Sequence, residues 1–163
     1  MNIETLYIID LDGVVADSTE RFKRATNNGK INWGIAFDPS LVSLDTLIED
    51  ADEVISELCR LGDVVYLTSR PESMWEATHG WLWLHGLAKP GIICKPESDK
   101  YTKTAKWKAD EVLSCSLRYR YVVFIDDDLK NLNAVRELTL SNVDCYENLA
   151  QYLAAVGGQD ATE

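Results

Sequence analysis

Five short apolar runs punctuate the chain, separated by longer stretches of mixed polarity. The runs fall near residues 5–10, 63–68, 91–95, 121–126 and 142–146 and are rich in β-branched and aromatic residues. Such runs, bounded by turn-forming or polar residues, predict strands. The intervening stretches repeat apolar residues at helical spacing and predict helices near 18–27, 45–61, 71–86, 102–117, 129–139 and 147–155. Local signals fit these boundaries. Asp17 and Glu20 make a capping pair ahead of the first helix. Gly62 suits the end of the second. Ser69-Arg70-Pro71-Glu72 fits a capping box opening the third, with Pro71 tolerated in the first turn. Regular alternation of strand and helix implies an α/β, doubly wound, Rossmann-like fold: a five-stranded parallel sheet, helices on both faces and right-handed crossovers.

Composition bounds this picture. At 163 residues the chain suits one domain, expected to span residues 1–156 with a flexible tail at 157–163. Apolar content of 46% and charged content of 26% are ordinary for a soluble globule. No apolar stretch reaches membrane-spanning length, and Met1-Asn2-Ile3-Glu4 does not open a signal peptide, so a cytoplasmic protein without membrane partners is expected. Cys59, Cys94, Cys115 and Cys145 are widely spaced, and read as buried free thiols in a reducing compartment. His79 and His85 read as structural. Trp75, Trp81 and Trp83 share a helix whose end, Trp81-Leu82-Trp83-Leu84, is apolar on every side. Packing within the monomer is the expected explanation and a homo-oligomer interface the second. The net charge of −11 argues against a broad nucleic-acid surface, but leaves room for recognition of one phosphorylated end.

The candidate chemistry sits at the ends of the strands. The first apolar run ends in Asp10-Leu11-Asp12-Gly13, where a residue spacing of two directs both carboxylates the same way if strand geometry persists. Like charges held together repel unless a cation lies between them, and a hard divalent ion such as Mg2+ takes oxygen ligands. The fourth run ends in Asp126-Asp127-Asp128. Adjacent parallel strands would bring both acidic groups to one carboxyl edge, where α/β sheets bind ligands. The second run ends in Thr68-Ser69, ahead of a helix N-terminus suited to a phosphate, although Ser69 alone reads first as an N-cap. Lys103, Lys106 and Lys108 lie on one helix. Each by itself reads as a solvated cation, but one lysine near the acidic edge would bridge the carboxylates.

The ordered series Asp-x-Asp-Gly, strand-Thr, Lys and strand-Asp-Asp resembles the haloacid dehalogenase superfamily of phosphohydrolases, over residues 6–146. The segment from Leu67 onward, and the Asn32-Trp33 and Phe37 region, resemble members related to the phosphatase half of polynucleotide kinase-phosphatases. The resemblance implies strand order 5-4-1-2-3. It also implies Asp10 as nucleophile, Asp12 as general acid and base, and a phosphoryl group held by Thr68, the following amide and a lysine. That lysine is Lys106 or Lys108. Lys108 fits better, because Trp107 precedes it as an aromatic or aliphatic residue does in the family. Mg2+ would be held by Asp10, the backbone carbonyl of Asp12, Asp126 and Asp127, with Asp128 a lesser participant. Arg70 follows Thr68 at the family's spacing for a substrate-contacting arginine, and pairing with a neighbouring carboxylate is its bland alternative. Ser69 and Lys95 complete the expected substrate side.

Cap domains are frequent in that family, yet residues 18–44 have room only for a helix, a turn at Asn27-Asn28-Gly29-Lys30 and a small lid. A site without a large cap admits the end of a large substrate or is closed by a second subunit. The expected function is therefore a Mg2+-dependent phosphomonoester hydrolase acting on a nucleotide or a 3′-phosphorylated polynucleotide end. A small sugar phosphate is the alternative substrate. A receiver domain shares these residue types, but its acidic pair follows the first strand and its phosphoacceptor the third. The order here favours the hydrolase, and a domain that binds without turnover is the remaining reading.

Overall fold

A computed structural model describes residues 4–157. Five strands form one parallel sheet: β1 (Thr5–Ile9), β2 (Asp63–Pro71), β3 (Gly91–Lys95), β4 (Tyr121–Ile125) and β5 (Val143–Tyr146). Their spatial order, β3-β2-β1-β4-β5, is the expected 5-4-1-2-3 read from the other edge. Among the described residues, six helices longer than one turn connect or follow them: α1 (Thr19–Ala25), α2 (Ala51–Leu61), α3 (Trp75–Leu84), α4 (Thr104–Ser116), α5 (Leu129–Arg136) and α6 (Leu149–Gly157).

The period-two alternation of β1 divides the core. Leu6 and Ile8 enter one apolar layer with Val122 and Phe124 of β4, closed by Trp107, Val112 and Leu132 from α4 and α5. Tyr7 and Ile9 enter the opposite layer with Tyr66, Val123 and Ile125, closed by Ile55 and Leu58 of α2, Leu82 of α3 and Tyr152 of α6. Burial on both faces explains why the central strands read as continuous apolar runs. Register then sets the site. Ile9 pairs with Ile125 on one side and with Tyr66 on the other, so Asp10 and Asp126 leave neighbouring strands at the same level. The Asp10 N–H donates to the Ile125 carbonyl at 2.9 Å, extending the ladder by one bond.

Several local expectations give way to tertiary contacts. The helix expected from residue 45 starts at Ala51, because Thr46–Leu47 instead pairs antiparallel with Ala16–Asp17. The capping box at residues 69–72 does not form. β2 continues through Pro71, and a short 3-10 turn, Glu72–Met74, precedes α3. Ser18 occupies the N-cap of α1 without capping it and gives its hydroxyl to Asp12, while the Asp17 carboxylate accepts the Thr19 N–H at 3.0 Å. Trp81 is buried and donates its indole N–H to the Asp45 carbonyl at 3.0 Å. Trp83 and Leu84, expected inside the monomer, are instead 68% and 74% exposed. His79 stacks on Trp75, and His85 packs at a tilt against Trp81.

After α1, residues 26–44 form a small insertion. It comprises a hairpin pairing Thr26–Asn27 with Lys30–Ile31, one helical turn at Trp33–Ala36 and a 3-10 segment at Pro39–Leu44. Asn28 and Gly29 both adopt positive φ, as a two-residue hairpin turn requires. Of the expected tail, Gly157 closes α6, and residues 158–163 lie outside the described residues.

Candidate active site

The carboxyl ends of β1 and β4 bring Asp10, Asp126 and Asp127 together, with one carboxylate oxygen from each lying within 4.8 Å of the others. Lys108 reaches this cluster from α4. Its ammonium lies 2.8 Å from Asp10 Oδ1 and 2.7 Å from Asp126 Oδ2, and the whole side chain is buried. Lys106 is exposed and pairs with Asp110, so it is Lys108 that the fold brings to the acidic edge. Asn131 and the Asp128 N–H hold Asp126 from its other side at 3.0 and 2.9 Å. Asp128 itself caps α5, accepting the Lys130 N–H at 2.8 Å.

Gly13 shapes the approach to this cluster. Its φ is +87°, and a Cβ there would lie 2.1 Å from Asp127 Oδ2. The left-handed turn favours glycine, and a Cβ there would displace the carboxylate that rests against it.

A second, buried charge cluster supports Asp12. The Arg70 side chain is fully buried. It donates Nε and Nη2 to the two Asp12 oxygens at 3.0 and 2.6 Å, Nη2 again to Asp45 at 2.7 Å, and Nη1 to Thr78 at 3.1 Å. Arg21 is equally buried, contacting Asp12 at 2.5 Å, Asp45 at 2.9 Å and the Ala36 carbonyl at 2.6 Å. Arg70, expected to touch substrate, is thus committed beneath the cleft to neighbouring aspartates. Burying two guanidinium groups is tolerated because two carboxylates and further acceptors compensate them.

The titrations diverge accordingly. Burial raises Asp10 to about 7, with the charges of Asp126 and Asp12 adding to the effect and Lys108 opposing it. Burial acts on Asp12 in the same sense, but Arg70, Arg21 and the Ser18 hydroxyl outweigh it and hold Asp12 at about 2. Lys108 is opposed by burial, yet the carboxylates of Asp10 and Asp126 raise its pKa. Asp127 is raised by burial and by Asp126.

An open cleft of about 1220 Å³ covers this edge, and Asp10, Asp12, Ser69, Lys108 and Asp127 line it. Thr68 lies fully buried below, its hydroxyl accepting the Arg70 N–H at 3.2 Å, so Ser69 supplies the hydroxyl on the cleft wall. Lys95 stands aside, lining a smaller neighbouring hollow, and its ammonium donates to the Thr102 carbonyl. Sequence reasoning missed Arg21, Asp45, Thr78 and Asn131. Arg21 left a faint trace, since it shares the buried face of α1 with Ala25 four residues on.

The donor set fits a hard divalent cation. Three carboxylates converge and all ligand atoms are oxygens.

No protein-family model matches the sequence, and no curated protein matches it. Solved structures do. A chain of the Pnkp1/Rnl/Hen1 complex superposes with a TM-score of 0.64 at 18% identity, covering 91% of this chain and 47% of that one. This chain thus spans less than half of that relative's length. A haloacid dehalogenase-like hydrolase from Streptococcus pneumoniae gives 0.66 at 13% identity, covering 96% of this chain and 100% of that one. A haloacid dehalogenase superfamily hydrolase from Geobacter sulfurreducens gives 0.60 at 18% identity, covering 88% and 86%. These likenesses establish the haloacid dehalogenase fold.

Proposed function

We propose, from a haloacid dehalogenase fold with carboxylates gathered at its carboxyl edge, that this protein is a Mg2+-dependent phosphomonoester hydrolase acting through an aspartyl phosphate. The observation that carries this reading is the buried Lys108, which bridges Asp10 and Asp126 beside Asp127. Asp10 is the nucleophile. Its free oxygen forms a bond to phosphorus as the bond to the leaving oxygen breaks. Lys108 holds Asp10 in place and meets the charge on the transferring phosphoryl oxygens, with Ser69 and the Thr68–Ser69 backbone on the opposite wall. Asp10, the Asp12 backbone carbonyl, Asp126 and Asp127 would hold Mg2+, which supplies positive charge to the phosphoryl oxygens and favours the ionised form of Asp10.

Asp12 moves the proton. The arginines hold it ionised at rest, and the approach of a phosphate anion raises its affinity for a proton by like-charge repulsion. Asp12 takes that proton from solvent as substrate binds and passes it to the leaving oxygen; it then takes one from the water that attacks the phosphorus of the aspartyl phosphate, and returns it to solvent as inorganic phosphate departs. Arg70 and Arg21 act through Asp12 by fixing its direction and charge. Halide displacement at carbon would suit an apolar surround for the nucleophile. Here Asp10 contacts the Lys108 ammonium and shares an oxygen cluster with Asp126 and Asp127, a setting matched to phosphate and a cation.

The substrate is a nucleotide-type ester, free or at a 3′-phosphorylated polynucleotide end. The open cleft supports this reading, as does the likeness to a chain of an assembly described as an RNA repair complex. Phosphate release with Mg2+ should be measured on a nucleoside monophosphate, a 3′-phosphorylated oligonucleotide and a sugar phosphate. Release from the first two that falls by orders of magnitude in Asp10→Asn and in excess EDTA is the expected result. Full activity under either treatment overturns the reaction, and a clear preference for the sugar phosphate overturns the substrate.

A further inference from the structure

Two hollows meet at Trp33. The catalytic cleft lies on one side, a hollow of about 390 Å³ opens on the other, and Trp33, Ser69 and Thr104 line both. The smaller volume lies within the range of small-ligand pockets, about 300–1000 Å³. Trp33 is 55% exposed, unusual for so large an apolar side chain, yet it is firmly held. Its ring stacks on Phe37 with centroids 5.3 Å apart and planes 29° from parallel, and meets the edge of Phe22 at 6.3 Å. The turn beneath is pinned as well: Asn32 Oδ1 accepts the Gly34 N–H at 3.0 Å, and the Asn32 N–H donates to the Ala25 carbonyl at 2.8 Å. The side hollow carries three charged residues, Lys95, Glu97 and Lys100. Lys100 is paired with Glu97 at 2.5 Å, whereas Lys95 has a backbone carbonyl for its partner.

We propose that the side hollow is a nucleoside subsite. The terminal base of a single-stranded, 3′-phosphorylated end stacks on Trp33 while its phosphate lies at Asp10, and Lys95 faces the adjoining phosphodiester. This deepens the phosphomonoesterase reading and rests on it. A pre-positioned indole suits a base because every base offers a π face, and stacking of this kind tolerates sequence. A base already stacked and paired in a duplex does not offer that face, so a single-stranded end is the matching form. One aromatic platform and one cation also fit a chain of net charge −11, which has little basic surface for a longer tract.

The test compares a 3′-phosphorylated dinucleotide with the same molecule lacking its terminal base. The intact protein should favour the base-bearing substrate in kcat/KM by about 5- to 150-fold, the range for one base–aromatic stack. Trp33→Ala should erase most of that preference through KM, and Trp33→Phe should retain most of it. An equal effect of Trp33→Ala on both substrates, or on neither, overturns the subsite. Binding of both molecules to Asp10→Asn, with and without Trp33→Ala, separates the two ideas. If no ester is turned over but base-dependent affinity disappears with Trp33, the subsite stands and the hydrolase reading falls. If both esters are hydrolysed equally well and bind equally, the hydrolase reading stands and the subsite falls.

Discussion

Lys106 and Lys108 are two positions apart on α4 and have opposite environments. Lys106 faces water and an i,i+4 partner, an arrangement worth about 0.3–0.5 kcal/mol. Lys108 is buried against Asp10 and Asp126, where removing the ammonium leaves two carboxylates uncompensated. Lys108→Ala should lower kcat by about 10²–10³-fold, the scale for losing a preorganised electrostatic partner, while Lys106→Ala should stay within about twofold of the parent. Steady-state kinetics on one phosphomonoester checks both, and the reverse ranking would transfer the role to Lys106. The choice of lysine was legible in the sequence only through Trp107 and the family pattern. Asp45 and Thr78 were not legible, and Arg21 only faintly, because their meaning lies in contacts with residues far along the chain. An arginine on a short helix reads as surface until Asp12 and Asp45 are seen around it.

At the scale of elements, what could be read was what local sequence controls. Apolar β-branched runs ending in carboxylates gave the strands and their acidic tips, because burial on both faces leaves a continuous apolar signature. Helix starts were less legible. Apolar spacing carries the second helix back to residue 45 and residues 69–72 satisfy helix-opening rules, yet Thr46–Leu47 is drawn into a strand pair and β2 extends over the capping box. The loop between β1 and α1 carries a prediction of its own. Gly13 lets Asp127 rest against the turn, so Gly13→Ala combines a strained φ with a displaced carboxylate. Saturating Mg2+ should raise the melting temperature of the parent protein, since a ligand at about 100 times its Kd adds about 2.7 kcal/mol. That corresponds to a shift of about 5–11 °C for a chain of this size. Gly13→Ala should lose most of the Mg2+-induced shift, as should Asp126→Asn. Differential scanning fluorimetry with and without EDTA reads it, and an undiminished shift in both variants would place the cation elsewhere.

For the whole molecule, register converts strand order into chemistry. β1 lies between β2 and β4, so Asp10 and Asp126-Asp127 leave the sheet beside the stretch of β2 that carries Thr68-Ser69, where its register shifts. The doubly wound architecture followed from the alternation of patterns, whereas the strand order came from the family resemblance, because periodicity carries no information on which strands are neighbours. The small insertion at residues 26–44 roofs one side of the cleft with Trp33 and leaves the rest open, which matches a substrate presented as an end. Trp83 and Leu84 show the limit of pattern reading. A helix end apolar on every side looks like core, yet here it remains on the surface.

The central claim is covalent catalysis by Asp10, and the most direct measurement is to trap the intermediate. The protein is mixed with a phosphomonoester and Mg2+, quenched in acid within one turnover, treated with borohydride to reduce the acyl phosphate, and mapped by mass spectrometry. The expected result is homoserine at position 10, absent without substrate and absent in Asp10→Asn. Rapid turnover with reduction at another carboxylate, or with an initial burst and no modified residue at position 10, would contradict the account.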